Sequence, residues 1–308
     1  MNRVKVFAPA TVANVACGFD VLGFALNHPG DTLIAEKNTD NVLKIAAIHN
    51  ASNLPLDTKN NVITVAVQAM LDQLGSNQGI TFELTKGVKA GSGIGSSAAS
   101  SAAAVFAANE LLGKPFTKKE LVYFAMKGEE CASGVPHADN VSPSICGGFT
   151  LVRSYEPLDV IKIPSPSDLW CTVIHPQIEV KTRDARRVLK GGIDLKRAIT
   201  QWGNLGGLIS GLYQEDYDLI GRSLVDVVIE PIRSILIPGY QDVKSSVLQA
   251  GALGCSISGS GPSIFALSKG EEMAQKVKLA MSKVYTQYGV DFEIHVSKVN
   301  DEGVKIID

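Results

Sequence analysis

The sequence has no long apolar run and no excess of charge of either sign. Its longest apolar stretch, after Ser97, is interrupted by Ser100, Ser101 and Asn109, and is shorter than the roughly 20 residues a membrane-spanning helix needs. The first residues hold no apolar segment of signal-peptide length. With 29 basic and 31 acidic residues, the chain offers no basic face for nucleic acid. We therefore expect a cytoplasmic protein that has neither membrane nor nucleic acid as a partner.

Cysteine is also sparse, and no two cysteines form a Cys-x-x-Cys pair. The five cysteines lie among apolar neighbours: Cys17, Cys131, Cys146, Cys171 and Cys255. This distribution favours buried, reduced thiols over a disulfide framework or a zinc site. The 308 residues are 45% hydrophobic and 19% charged, an ordinary globular composition, and their number suggests two domains.

Helical and extended patterns alternate along the chain. Apolar spacing, helix caps and Gly/Pro punctuation mark the limits of the predicted elements. Predicted strands are 4–8, 32–36, 42–48, 80–84, 147–152, 169–174, 254–258, 264–267 and 292–298, and predicted helices are 61–74, 96–112, 117–131, 184–189, 195–213, 243–250 and 271–288. The order strand, strand, helix, strand at the end predicts an antiparallel sheet covered by helices, an α+β arrangement. The proline-marked stretch 157–166 is the expected junction between domains 1–157 and 158–308.

The most informative segment is residues 89–99, Lys-Ala-Gly-Ser-Gly-Ile-Gly-Ser-Ser-Ala-Ala. Its alternating glycines let the backbone approach a ligand closely. The alanine-rich helix expected from Ser96 presents unpaired N–H groups and a positive dipole end, which together suit phosphate. A Walker A loop is excluded because no Gly-Lys-Ser/Thr follows. A dinucleotide-binding fingerprint is excluded because the third glycine comes one residue too early. A flexible turn before a helix is the alternative, which the length of the pattern disfavours.

A second glycine cluster, residues 256–263, has the sequence Ser-Ile-Ser-Gly-Ser-Gly-Pro-Ser. It lies between two apolar segments, so it fits either a hairpin turn or a ligand-binding loop. The first cluster favours the ligand-binding loop.

Three segments together resemble the motifs of the GHMP kinases. They are residues 8–20, Ala-Pro-Ala-Thr-Val-Ala-Asn continuing to Gly-Phe-Asp, the loop at 91–99, and Ser-Gly-Ser-Gly-Pro at 258–262. Residues 14–23, 134–141 and 229–233 resemble the homoserine-specific branch of that family. The resemblance spans about residues 4 to 300.

The resemblance implies a two-domain α+β fold. Its N-terminal domain would be like domain 2 of ribosomal protein S5, its C-terminal domain ferredoxin-like, with the active site between them. The implied activity is transfer of phosphate from ATP to L-homoserine, with Mg²⁺, in threonine biosynthesis from aspartate. The implied assembly is a homodimer.

The resemblance also assigns residues to ligands. Mg²⁺ would be held by Ser97 and Glu129; Glu130 is the neighbouring alternative, and the spacing to His137 favours Glu129. ATP would be held by Asn61, Lys89, Ala90, Gly91, Ser92, Gly93, Ile94, Gly95, Ser96, Ser97, Ala98 and Ala99. The amino-acid substrate would be held by Asn14, Asp20, His137, Thr182, Arg186, Arg233 and Gly259. The planar fork of arginine suits the homoserine carboxylate, which is the role expected of Arg186 and Arg233.

The catalytic residues implied are Asp20, Asp139 and Asn140. Asp20 is expected beside the reacting hydroxyl. Asp139 and Asn140 occupy the segment in which some GHMP kinases carry an Asp that acts as general base. Because phosphoryl transfer passes through a loose transition state, we expect no residue to be an indispensable base. Two other functions stay open, a mevalonate or sugar kinase and a ligand sensor without turnover. The arginine pair disfavours the first, and Ser96, Ser97 and Glu129 disfavour the second.

Overall fold

Two β-sheets form the framework of the protein. The computed structural model describes residues 1–51, 54–178, 180, 185, 188, 189 and 191–308. Within these ranges the first sheet follows the order β11-β1-β2-β4-β3, with β5 joined to β2 and β6 joined to β5. Its strands are β1 (Arg3–Ala13), β2 (Leu22–Asn38), β3 (Leu43–His49), β4 (Gly79–Thr85), β5 (Phe149–Tyr155), β6 (Leu158–Ile163) and β11 (Lys305–Ile306).

Four helices lie between strands of this sheet along the chain: α1 (Val62–Leu74), α2 (Ser96–Leu111), α3 (Lys118–Ser133) and α4 (Ala138–Cys146). The alanine-rich α2 is the central one and contacts the other three helices as well as β1 and β2. Its side chains are small, so its neighbours approach closely, and alanines 98–108 of this helix are fully buried. The first turn of α2 is therefore fixed in place from several sides.

Helix caps confirm both predicted limits of α1 and the predicted start of α3. The Asn61 side chain accepts a hydrogen bond from the Ile63 amide, and Gly75 ends α1 in the left-handed conformation. At α3, Thr117 and Glu120 form the predicted capping box. The predicted end of that helix at Cys131 was two residues short of the observed end.

The second sheet is antiparallel throughout and has the order β10-β7-β9-β8. With the strands numbered as they occur along the chain, the order across this sheet is 4-1-3-2. Helices follow the first and third strands, which is the predicted ferredoxin-like arrangement. The strands are β7 (Leu169–Pro176), β8 (Gly254–Ile257), β9 (Ile264–Lys269) and β10 (Phe292–Lys298), and the helices are α5 (Leu195–Gln214), α6 (Tyr217–Ser223), α7 (Glu230–Arg233), α8 (Tyr240–Gln249) and α9 (Glu271–Tyr288).

The structure differs from the sequence-based expectations in several places. α4 was not predicted, because Pro143 lies inside it and proline disfavours a helix interior. Cys131 is exposed rather than buried. Strands β6 and β11 belong to the first sheet. The chain therefore passes to the second sheet only after Ile163, and it returns to the first sheet at β11. The limits 1–157 and 158–308 thus stay a prediction. The predicted helix 184–189 falls largely outside the described residues.

None of the described helices combines the length and apolarity that crossing a bilayer requires.

Gly23 on β2 sets how closely α4 can approach the sheet. A Cβ atom at Gly23 would lie 1.9 Å from the Asp139 carbonyl oxygen, which is backbone and cannot move aside. We expect Gly23→Ala to lower the free energy of unfolding by about 1–3 kcal/mol, the usual cost of overpacking. Urea denaturation measures this. Gly191→Ala is the matched control, since a Cβ there meets nothing within 4 Å. Equal stability of the two variants would contradict the contact.

Candidate active site

A cleft of about 670 Å³ lies between the two halves of the chain. Most of the predicted site residues line it: Asn14, Asp20, Asn61, Ala90, Gly91, Gly93, Gly95, Ser96, Ser97, Glu129, His137, Asp139, Asn140, Arg233 and Gly259. A larger cavity of about 840 Å³ lies among β3, α1 and α3. That cavity contains Glu130 but none of the other predicted residues. The smaller cleft is therefore the candidate active site.

The glycine-serine loop owes its shape to glycines in the left-handed region. Gly93 has φ 81° and Gly95 has φ 69°. A Cβ atom at Gly93 would lie 2.6 Å from the Gly261 carbonyl oxygen, and one at Gly95 would lie 2.1 Å from the Thr11 hydroxyl. Gly95 is the N-cap of α2 and has no side chain to cap the helix. The first amides of α2 therefore face the cleft as an anion site.

The second glycine cluster is both a hairpin turn and part of the site. It joins β8 to β9, and its serines hold the first loop. The Ser258 hydroxyl donates to the Gly93 carbonyl at 2.8 Å, and the Ser263 hydroxyl donates to the Ser92 carbonyl at 2.6 Å. The Gly259 amide donates to the Ala13 carbonyl at 3.2 Å. These bonds tie the second sheet to the loop of the first.

A buried ion pair between Asp31 and Lys86 supports the loop from below, and the sequence analysis missed it. The predicted strand began only at residue 32, but β2 runs through Asp31, which is fully buried. One Asp31 oxygen accepts from the amides of Gly87 and Val88, and the other from Lys86 and the Ser100 hydroxyl. The Lys86 ammonium also donates to the Ser96 carbonyl at 2.8 Å. Burial lowers the pKa of Lys86, and the nearby charges of Asp31 and Glu129 oppose that shift.

Glu129 lies on α3, and only 5% of its surface is exposed. Burial raises the pKa of its carboxyl from 4.5 to about 7, an effect that the Ser97 hydroxyl and the Lys86 charge partly offset. A buried carboxylate beside a hydroxyl at the start of α2 suits Mg²⁺, which often takes one or two protein oxygens and completes its shell with phosphate and water. In the described ranges no three His, Cys, Asp or Glu side chains form a metal cluster. Glu130, by contrast, is exposed and faces the other cavity.

The Asn14 segment adopts a strained backbone at the opposite wall. Asn14, Val15 and Ala16 have φ of 70°, 38° and 59°, a left-handed run that is costly for a β-branched residue such as Val15. The Asn14 side chain accepts from the Asp20 amide at 2.9 Å and donates to the Gly259 carbonyl at 2.8 Å. Asn14 therefore holds the turn together and also lines the cleft.

Asp20 and His137 meet across the cleft. The Asp20 carboxylate lies 3.9 Å from His137 Nδ1. The Tyr155 hydroxyl donates to the Asp20 carbonyl at 2.8 Å, a contact that sequence analysis did not find. Asp20 itself has φ 57°, so this bond helps to keep its backbone in an unusual conformation. On α4, Asp139 is buried, and the Asn140 side chain accepts from the Thr11 hydroxyl at 2.8 Å.

Arg233 ends α7 and is only 4% exposed. Its guanidinium donates to the Ala185 carbonyl at 3.0 Å and the Gly259 carbonyl at 3.1 Å, and it stacks 4.9 Å from the Phe19 ring centre. Glu230, at the start of α7, is fixed by Lys244 and the Ser256 hydroxyl. The cationic fork is thus held rigidly in the cleft wall.

Several predicted ligands lie elsewhere. Lys89 is exposed, and its ammonium donates to Gln177. Ser96 does line the cleft, but its hydroxyl donates to the Val88 carbonyl at 2.8 Å. β4 ends at Thr85, and Lys86, the next residue, lines the cleft. Ser92, Ile94, Ala98 and Ala99 are buried and do not line the cleft. Thr182 and Arg186 fall outside the described residues.

Comparison with known proteins identifies the family. Residues 61–148 match the family described as GHMP kinases N terminal domain, and residues 208–287 match GHMP kinases C terminal. The chain belongs to the GHMP kinases. It is therefore an ATP-dependent phosphotransferase, and its fold is the two-domain GHMP kinase fold that the resemblance implied.

Two similar GHMP kinases cover the whole chain. The homoserine kinase of Chlorobium phaeobacteroides is 51% identical over 320 aligned residues, covering 100% of both chains. The crystal structure of homoserine kinase from Cytophaga hutchinsonii is 52% identical with a TM-score of 0.97, covering 100% of this chain and 98% of that one. The L. major mevalonate kinase, solved with R-mevalonate, shares the fold alone, with a TM-score of 0.73 at 16% identity and 96% coverage of both chains.

Glu129 makes the stability of this kinase depend on pH. Its folded pKa of about 7 lies above the reference value of 4.5, so the unfolded chain loses this proton first as pH rises. The raised pKa thus lowers stability progressively between those two values and fully above about pH 7. We expect Glu129→Gln to be more stable than the natural protein above about pH 7, by up to about 3 kcal/mol, and to differ little below about pH 5.

Urea denaturation at several pH values, without nucleotide or Mg²⁺, measures this difference. The control is Glu130→Gln, which alters the exposed neighbour on the same helix. A stability difference for Glu129→Gln that does not change with pH would show that its burial is not the cause.

Proposed function

We propose that this GHMP kinase phosphorylates L-homoserine, producing O-phospho-L-homoserine and ADP in the route from aspartate to threonine. The observation that carries this proposal is the buried Arg233 guanidinium, held in the cleft wall beside Gly259. A buried planar cation fits a substrate carboxylate, which neutral sugars lack. The full-length similarity to two proteins named homoserine kinase agrees with this substrate.

The nucleotide side of the site is built for charge compensation. The first amides of α2 and the loop around Gly91, Gly93 and Gly95 would hold the phosphates of ATP. Ser97 and Glu129 would hold Mg²⁺, which in kinases neutralises charge that develops on the transferred group. Asn61 and its neighbours Leu54, Pro55 and Val62 line the same cleft and offer a mainly apolar wall for adenine.

On the substrate side, the residues would bind the two ends of homoserine. Arg233, with Arg186 as its predicted partner, would bind the carboxylate. Asn14, His137 and Thr182 would line the pocket, and the Asp20 carboxylate would orient the hydroxyl towards the phosphates. Asp139 and Asn140 lie beside this hydroxyl end of the cleft. The Asn140 amide is not basic, whereas the carboxylates of Asp20 and Asp139 could accept the hydroxyl proton. We propose that neither is indispensable.

Three further aspects belong to the proposal. Mg²⁺ is the expected metal, for the reasons given for Glu129. A homodimer is the expected assembly. The cytoplasm is the expected location, which agrees with five cysteines that are all free thiols.

A coupled assay of ADP release tests the substrate. Homoserine, serine, mevalonate and galactose are supplied separately with ATP and Mg²⁺. We expect turnover with homoserine and little with the other three. Turnover on mevalonate but not on homoserine would reject the proposal, and tight homoserine binding without ADP release would favour a sensor.

Arg233→Ala tests the carboxylate site. We expect it to raise KM for homoserine at least about 30-fold, because a charge-assisted bidentate pair contributes roughly 2 kcal/mol or more, while KM for ATP changes little. Steady-state kinetics with each substrate varied in turn measures the two values. Arg222→Ala, which removes an exposed arginine from α6, is the control. An equal rise in both KM values would contradict the assigned role.

A further inference from the structure

The main chain of Asp20 is held from both sides by side chains. Its amide donates to the Asn14 side chain at 2.9 Å, and its carbonyl accepts from the Tyr155 hydroxyl at 2.8 Å. Asp20 has φ 57°, in the left-handed region that residues other than glycine rarely adopt. The backbone conformation sets the direction in which a side chain leaves the main chain. The two bonds therefore aim the Asp20 carboxylate into the cleft, where it lies 3.9 Å from His137 Nδ1.

Tyr155 reaches Asp20 from a strand that is fixed in the first sheet. It is the last residue of β5, which pairs antiparallel with the start of β2. The Val152 amide also donates to the Val21 carbonyl at 2.7 Å, directly beside Asp20 in the chain. The sheet is thus the rigid element that holds the Asp20 carbonyl, and the Tyr155 hydroxyl connects the two.

A β-bulge determines the face on which the Tyr155 side chain lies. The register between β5 and β6 shifts after Val152, so Arg153 is an extra residue on β5. Tyr155 lies opposite Leu158, and residues opposite each other share a face of the sheet. Leu158 and Val152 both pack against the core that contains α2, whereas strict alternation would have placed Tyr155 on the face of Leu151. Bulges often redirect a side chain beside an active site in this way.

The bond from Tyr155 and the strain at Asp20 have similar magnitudes. A left-handed residue other than glycine costs about as much free energy as one such hydrogen bond contributes. Loss of the hydroxyl would therefore let Asp20 adopt other backbone conformations for part of the time. In those conformations its carboxylate would leave the position that it has beside His137.

We propose that Tyr155 is a positioning residue for the phosphoryl transfer. Its hydroxyl holds the Asp20 backbone so that the Asp20 carboxylate orients the acceptor hydroxyl towards the phosphates. This role rests on the proposed function, in which Asp20 contacts the hydroxyl of homoserine. Phosphoryl transfer depends on alignment of the attacking oxygen with the transferred group, so a displaced carboxylate slows the reaction. Arg233 binds the carboxylate at the other end of the substrate, so the affinity for homoserine is maintained.

Steady-state kinetics of Tyr155→Phe tests this role. The variant removes the hydroxyl and keeps a ring that is already 36% exposed, so we expect it to fold normally. With homoserine, kcat should fall about 10-fold or more, because small displacements are costly in an aligned reaction. KM for homoserine and KM for ATP should change little, since Arg233 and the first amides of α2 are unaltered. The matched control is Ser154→Ala, which removes a hydroxyl that donates to the Glu156 carbonyl in the same hairpin and should keep the natural kcat.

A double-mutant cycle shows whether Tyr155 acts through Asp20. Asp20→Gly removes the carboxylate, and glycine adopts a φ of 57° without strain. In that background Tyr155→Phe should change kcat by less than about 2-fold, because the hydroxyl has no carboxylate left to position. Circular dichroism confirms folding of each variant. A general structural role would lower kcat by the same factor in both backgrounds.

Three results would overturn the proposal. They are a natural kcat in Tyr155→Phe, the same loss of kcat with and without the Asp20 side chain, and a loss of equal size in Ser154→Ala. In each of these cases the natural protein still phosphorylates homoserine, so the proposed function stands. A natural protein without turnover on homoserine would instead reject the proposed function and, with it, this role of Tyr155.

Discussion

The buried pair of Asp31 and Lys86 is the interaction on which the nucleotide side of this kinase depends. It joins a central strand, the chain that leaves β4 and the first turn of α2, three elements that are far apart in sequence. Both carboxylate oxygens and the ammonium are hydrogen-bonded. A buried ion pair needs such bonds, because otherwise the desolvation penalty exceeds the attraction between the two charges. The amides at the start of α2 thus point into the cleft from a rigid base.

The cleft also contains buried charges and an unusual backbone conformation, which are unfavourable for the stability of the folded protein. Glu129 is an acid whose burial penalises its charged form, Arg233 is a buried cation, and Val15 has a left-handed backbone. Each feature costs folding free energy, and each has a use once charged ligands arrive. Mg²⁺ would compensate the charge of Glu129, and a substrate carboxylate would compensate the charge of Arg233. Function therefore explains local features that stability alone does not.

Beside the cleft, several contacts between the two halves are hydrogen bonds that side chains donate to backbone carbonyls. Ser258 and Ser263 reach from the second sheet to the glycine-serine loop, and Asn14 and Arg233 share the Gly259 carbonyl. The nucleotide loop and the amino-acid pocket are consequently one connected assembly. A change in the hairpin turn at Gly259 would disturb both ligands at once.

Sequence analysis succeeded where the physics is local. The alternating glycines, the alanines after Ser96, the cap at Asn61 and the capping box at Thr117 act over a few residues, so their elements were predicted nearly to the residue. α4 was missed because Pro143 argues against a helix. The close approach of α4 to Gly23 on β2 is a tertiary contact that the local pattern does not contain. The predicted strand 32–36 left out Asp31 for a similar reason, since Pro29 and Gly30 precede it.

By itself the sequence determined the phosphate-binding loop, the family motifs and the helices, because glycine, alanine and capping residues constrain the backbone wherever they occur. Only the tertiary structure decided that Glu129 and not Glu130 faces the cleft, that Lys86 pairs with Asp31, and that Ile199 and Trp202 of α5 stay exposed. Burial of a charge or an apolar face depends on which distant elements pack against it, and no local pattern contains that information.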